Sequence, residues 1–195
     1  MPLLGQQPEI VDSLSQIVSD LRVRPTAIVV VSAHFVSTND GFMVTGSTNP
    51  QLLFDYGGFP PESYKYKYDC PGSPELAERI CSLLTTSGIP CASDVRRGLD
   101  HGVFVPLKIM FPEADIPIVS MSIHHSFDPA LHILAGECLS TLRDEGVMVI
   151  ASGSSFHNFE YFFASSSTMR AEGVQKSRLW DAHLVETLTS EEVVW

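Results

Sequence analysis

Basic residues are scarce in this chain: 12 Lys and Arg stand against 23 Asp and Glu over 195 residues, for a formal net charge of −11. Nucleic acid or an anionic membrane needs clustered cations, and the densest cluster is the pair Arg96-Arg97. Both partner classes are therefore excluded as expectations. Long apolar runs are missing too. The run Ala27 to Ala33 near the N-terminus is far too short to span a bilayer. No basic segment followed by an apolar one opens the chain, as a secretory signal would. Cys70, Cys81, Cys91 and Cys138 stand apart with no Cys-x-x-Cys pair, a pattern of reduced thiols in a cytoplasmic protein rather than of disulfides or a zinc knot. Gly-x-Gly-x-x-Gly and Walker A sequences are absent, which leaves dinucleotide and P-loop chemistry without support. Ser154 and Ser155 invite a hydrolase, but Gly153-Ser154-Ser155-Phe156-His157 lacks the second glycine of a nucleophile elbow.

What is present is globular: 44% of residues are apolar and 18% charged. Ile10, Val11, Leu14, Ile17, Val18 and Leu21 recur at helical spacing and predict an amphipathic helix over 8–22. Ala27-Ile28-Val29-Val30-Val31 reads as a strand buried on both faces, followed by a second strand at 42–45. Residues 49–72 are aromatic and rich in Gly and Pro without a period, which marks a functional loop. Ser73-Pro74-Glu75 opens a helix that Gly88 ends, and a short helix is expected over 103–110. A strand is expected at 116–123. Asp128-Pro129 opens a helix with the stripe Leu131, Leu134, Ala135, Cys138 and Leu142. A buried strand follows at 147–151, and a helix at 177–188. Alternating strands and helices predict one α/β domain over 1–195, with a central mixed sheet covered by helices. Met1 to Gly5 enter without a preceding strand and Val193-Val194-Trp195 close an uncapped apolar stripe, so both ends read as cuts through a larger domain.

Three histidines share one address. His34 ends the run Ile-Val-Val-Val-Ser-Ala-His, His157 follows the apolar run at 147–151, and His101 sits between Gly98 and Gly102 in Gly-Leu-Asp-His-Gly. In open α/β sheets ligands bind beyond the carboxyl ends of strands, and imidazole suits both zinc or ferrous iron and proton transfer near neutral pH. A strand-end histidine also serves simply as a packed, hydrogen-bonded residue, and the residues alone leave both readings open. His124, His125, His132 and His183 read as packed or surface residues, although His124 and His125 follow a strand and can face the same crevice. Phe54, Tyr56, Phe59, Tyr64, Tyr66 and Tyr68 form either a wall for an aromatic substrate or a loop anchored by its own rings.

The segments VVVSAHF, FDYGGFPPESYKYKYDCPGSPELAERI, RGLDHGVFVPLKIMFPEADIPIVSMSI and ASGSSFHNF, in that order, resemble the class III extradiol ring-cleavage dioxygenases. The nearer likeness is to the DOPA 4,5-dioxygenase-like branch, related to the catalytic subunit of protocatechuate 4,5-dioxygenase. The resemblance implies a mononuclear non-haem Fe(II) centre, with zinc possible in its place, and a catechol-type aromatic and O2 as substrates. His34 matches the family's second metal-ligand histidine. His157 matches a histidine that is a further ligand in this branch or the acid/base in the protocatechuate enzyme, and His101 the histidine beside the substrate. Asp100 is implied to orient that neighbourhood. The family's first ligand, in a His-Gly-Gly-Pro-like turn, and its last would fall before Met1 and beyond Trp195. With His34 and His157 alone, and with His101 or His124 recruited only by loop movement, the chain is expected to bind iron weakly, to be poorly soluble and to leave DOPA unchanged. The alternatives are a non-catalytic family member acting as an interaction partner, and a zinc hydrolase using His34, His157 and a water. Oligomeric state has no signature here.

Overall fold

Short apolar segments pair into one mixed sheet in the computed structural model, which describes residues 7–190. The chain divides after Gly153 into two compact units. In the first, α1 (Pro8–Ser19) precedes β1 (Ala27–Val36) and β2 (Phe42–Thr45). After a long loop with one 3-10 turn come α2 (Pro74–Thr86), β3 (Cys91–Asp94), α3 (His101–Met110), β4 (Ile118–Ile123), α4 (Pro129–Leu139) and β5 (Val147–Ser152). The strand order is β3-β2-β4-β1-β5. β1 runs parallel to both β4 and β5, β2 parallel to β3, and β2 meets β4 antiparallel at Val44 and Met121. The expected α/β architecture with a helix-covered mixed sheet is the one found.

Two cores flank the sheet because successive strand residues point to opposite faces. Val29 joins Phe42, Val44, Val119 and Met121 beneath Ala77, Ile80 and Leu84 of α2, with Ala135 and Leu139 of α4. Ile28, Val30 and Ile118 face Val103, Phe104 and Leu107 of α3, with Leu14 and Val18 of α1 packed at the edge. Ile28, Val29 and Val30 are fully buried, as a β-branched central strand requires. Ser73 caps α2 by accepting from the Leu76 amide at 3.1 Å, and Asp128 caps α4 by accepting from Ala130 at 3.0 Å.

Several expectations need correction. The strand at 147–151 is not buried: β5 is an edge strand paired only with β1 among the described residues, and Val149 stands 40% exposed. β3 is a strand the sequence did not announce, because Cys-Ala-Ser-Asp carries no apolar alternation and pairs only along the sheet edge. Leu134 lies off the buried stripe of α4, and Ile10 and Ile17 off that of α1, so both stripes are narrower than expected. β4 begins at Ile118, just past Pro117.

The second unit holds α5 (Phe159–Phe162) and α6 (Ser167–Thr189). α6 starts ten residues before the expected helix, where the Ser166 hydroxyl accepts from the Met169 amide. Gly173 is the buried residue of α6, beneath the Tyr161 ring, whose hydroxyl accepts from Lys176. The residues behind the expectation of cut ends, 1–5 and 193–195, lie outside the described residues. No helix among those described is long and apolar enough to cross a membrane.

Candidate functional site

His34 owes its position to a break in β1. Ser32 pairs with Ser122 of β4, but Val36 pairs with the very next residue, Ile123, so residues 33–35 are carried out of the ladder. Such a bulge re-aims a side chain at the end of a strand. The His34 segment is held from beneath. Its amide donates to Ser32 Oγ at 3.2 Å, Ser32 Oγ donates to Asp100 Oδ1 at 2.7 Å, and Arg97 Nη2 donates to Asp100 Oδ2 at 3.1 Å and to the His34 carbonyl at 3.3 Å. The Arg97 guanidinium lies 4.4 Å from the Phe35 ring centroid. Asp100 is fully buried, and these contacts are what make its burial tolerable.

His101 is the first residue of α3, placed there by Asp100 as N-cap residue. The Asp100 side chain does not cap the helix, since Ser32 and Arg97 already occupy it; its carbonyl accepts from the Val103 and Phe104 amides. Pro106 lies inside this helix and cannot donate to the Gly102 carbonyl. Ser152 Oγ, at the end of β5, donates to that carbonyl instead at 2.5 Å. The start of α3 is thereby tied to the carboxyl ends of both β1 and β5.

The third member comes from the long loop. Leu53 donates to the Leu99 carbonyl and Leu99 to the Gln51 carbonyl, a parallel bridge that lays residues 51–55 beside the approach to α3. Asp55 then reaches both imidazoles: His101 Nδ1 is 2.8 Å from Oδ1 and His34 Nδ1 is 3.0 Å from Oδ2. The His101 amide also donates to Oδ1 at 3.0 Å. The two rings stand 4.2 Å apart, edge to face. Burial acts to raise the Asp55 carboxyl, but the His101 amide, ring and charge outweigh it and hold it below the ordinary carboxylate value. Tyr56 stands edge-on to His101 at 5.5 Å, backed by Phe54, Tyr64 and Phe104, and its hydroxyl donates to the Ser63 carbonyl. Burial, with Tyr66, Tyr64 and Asp55 nearby, raises the Tyr56 phenol. The loop rings thus wall the side of the site that His101 occupies.

One donor atom each from His34, Asp55 and His101 lie within 4.8 Å of one another. Imidazole ligates non-haem divalent metals, Fe(II) among them, and a carboxylate beside it orients the ring, so the residues present fit such a group. His34 and His101 meet without any loop movement, where the sequence led to the expectation that His101 would need one. His157 lies in the second unit, ahead of α5, with its ring 4.4 Å from Phe159. His124 is buried and bonded to Ser126, its amide donates to His132 Nε2, and His132 Nδ1 contacts the Asp128 carbonyl. His124 and His132 are thus held in local hydrogen bonds. His183 sits on α6 beside Trp180. Asp55 is the residue that sequence reasoning passed over. Its only signal was an acidic residue opening the aromatic segment Asp-Tyr-Gly-Gly-Phe.

A family model for the catalytic LigB subunit of aromatic ring-opening dioxygenase matches residues 5–194. The chain is 37% identical over 204 residues to Dioxygenase tasH of Hapsidospora irregularis, covering 96% of this chain and 62% of the relative. It is 44% identical over 135 residues to 4,5-DOPA dioxygenase extradiol of Beta vulgaris, covering 69% of this chain and 50% of that one. The protein of the same name in Escherichia coli K12 is 46% identical over 136 residues, with 69% and 49% covered. The chain thus spans about half to three-fifths of the length of these curated relatives. A crystal structure of an uncharacterized protein from Escherichia coli K12 matches with a TM-score of 0.62 at 39% identity, covering 77% of this chain and 55% of that one.

Proposed function

The chain belongs to the family of the catalytic LigB subunit of aromatic ring-opening dioxygenase, and from that premise we propose that it is an extradiol dioxygenase that opens the ring of a catechol-type aromatic such as DOPA with O2. The observation that carries the reading is the convergence of His34, Asp55 and His101 at the carboxyl end of the central strand, walled by the Tyr56 cluster. Relatives named 4,5-DOPA dioxygenase extradiol support the choice of substrate. The four free cysteines support a reducing, cytoplasmic setting.

His34 is the residue that would hold the metal, and His157 is the second ligand or the acid/base that the resemblance implies. Fe(II) bound there would supply a Lewis-acidic centre for the catechol oxygens and for O2. The protein's own groups do the rest. The Tyr56, Phe54 and Phe104 rings offer an apolar wall against which an aromatic ring orients. His101 offers a ring nitrogen beside that wall, suited to donate to, or take a proton from, a catechol oxygen. Asp55 holds both imidazoles in place through contacts to their Nδ1 atoms.

Anaerobic loading of the chain with Fe(II), addition of L-DOPA and then admission of air is the direct test. We expect a ring-opened, yellow product from the wild type and none from His34→Ala or His157→Ala, with His34→Ala also losing bound iron by metal analysis. Fe(II)-loaded wild type that leaves L-DOPA and simple catechols intact overturns the reading.

A further inference from the structure

Asp55 stands between the two imidazoles. Its two oxygens are each spent on a different imidazole, and in both contacts the imidazole atom is Nδ1. An ionised carboxylate only accepts hydrogen bonds, and an aspartate is ionised at neutral pH and above. The nitrogen facing it must therefore carry the proton in each ring. We propose that Asp55 is a positioning residue that fixes His34 and His101 together as Nδ1–H tautomers, leaving both Nε2 atoms unprotonated on the far sides of their rings. The proposal rests on the metal-centre reading above for its purpose: His34 Nε2 is then free for the metal and His101 Nε2 for substrate. A carboxylate that sets the tautomer of a ligating histidine raises its basicity and fixes its ring, and losing such a partner typically costs about 10- to 100-fold in metal affinity.

The geometry also says which histidine depends on the charge. Oδ1 receives the His101 amide at 3.0 Å as well as the His101 ring, so that corner must remain an acceptor. In Asp55→Asn, a side chain of the same shape, the carbonyl oxygen is therefore forced to the His101 corner and the NH2 to the His34 corner. An NH2 donates, so His34 Nδ1 must accept and its proton must move to Nε2. One imidazole of the pair switches tautomer and the other does not. A residue that merely braced the loop would produce no such asymmetry.

The test is long-range proton–nitrogen NMR on the 15N-labelled, metal-free chain at pH 8, above the ordinary imidazole value of about 6.5. His34→Gln and His101→Gln spectra supply the assignments. The wild type is expected to show Nδ1–H at both residues, a measurement that needs no Asp55 variant to fold. Asp55→Asn is expected to keep Nδ1–H at His101, to show Nε2–H at His34, and to bind Fe(II) at least tenfold more weakly in anaerobic titration. Nε2–H at either residue in the wild type overturns the proposal. So does an unchanged His34 in Asp55→Asn, or an Fe(II) affinity within twofold of wild type. If the tautomers and affinities behave as stated but the loaded wild type leaves catechols intact, the assignment of Asp55 stands and the ring-opening reading falls.

Discussion

Around Asp100 the interior carries a negative charge whose partners can be counted. Ser32 and Arg97 are its side-chain donors, and Arg97 also holds the His34 carbonyl. Removing the guanidinium leaves a buried carboxylate with one donor, so Arg97→Ala is expected to cost about 2–4 kcal/mol in urea denaturation. Arg97→Lys should recover less than half of that, because one ammonium cannot match the fork that reaches two acceptors. Cys70 makes a second residue-scale prediction. Burial pushes its thiol up to about 11, from an ordinary 9.0, with Asp69 adding to the rise and its backbone opposing it. A thiol raised on folding contributes stability that is intact below pH 9 and is lost as pH rises toward 11. Thermal melts should therefore fall across that window, and Cys70→Ala should flatten the fall by up to about 2 kcal/mol at pH 11. An equally steep fall in the variant would remove Cys70 as a cause. His34, His101 and Asp100 were legible in the sequence because each sits at a strand end or beside glycines. Asp55 was not, since its role depends on the bridge between Leu52 and Leu99, a pairing across 47 positions that no local period encodes.

Each strand's place in the sheet decides what its residues are worth. β1 is paired on both sides and covered on both faces, so Ile28→Ala removes atoms from a closed core and should cost about 2–5 kcal/mol. β5 has the same apolar look in sequence, Val-Met-Val-Ile-Ala, yet it lies at an edge and exposes Val149. Val149→Ala should therefore cost under about 1 kcal/mol. Urea denaturation of the two variants checks the contrast, and equal losses would contradict the edge assignment. Hydrophobic runs announce strands well but not their order, because order is a property of pairing partners far along the chain. The same limit hid β3, whose four residues earn their place only by pairing with β2. Helix starts were easier: Ser73 and Asp128 cap within three residues of themselves, so the whole device lies in one short stretch of sequence.

Across the whole molecule, two terms of opposite sign act on association. A net charge of −11 makes copies repel one another at neutral pH and low salt. Against it, the second unit alone exposes Phe159, Phe162, Phe163, Leu179, Val185 and Leu188, each at 56% or more. Apolar exposure on that scale marks an association surface or an aggregation liability. Repulsion is long-ranged and screened within about 8–10 Å at 0.10–0.15 M salt, whereas apolar contact is short-ranged and not weakened by salt. Self-association should therefore rise with salt: sedimentation velocity at pH 7 is expected to show mostly monomer in 10 mM salt and larger species in 500 mM. Phe163→Ser with Leu188→Ser should raise the protein concentration at which those species appear by several-fold at 500 mM. The substituted positions are exposed, so folding should be unaffected, and an unchanged far-UV spectrum would confirm it. Association that weakens with salt, or that the double substitution leaves untouched, would mean that charge pairing rather than apolar contact brings copies together.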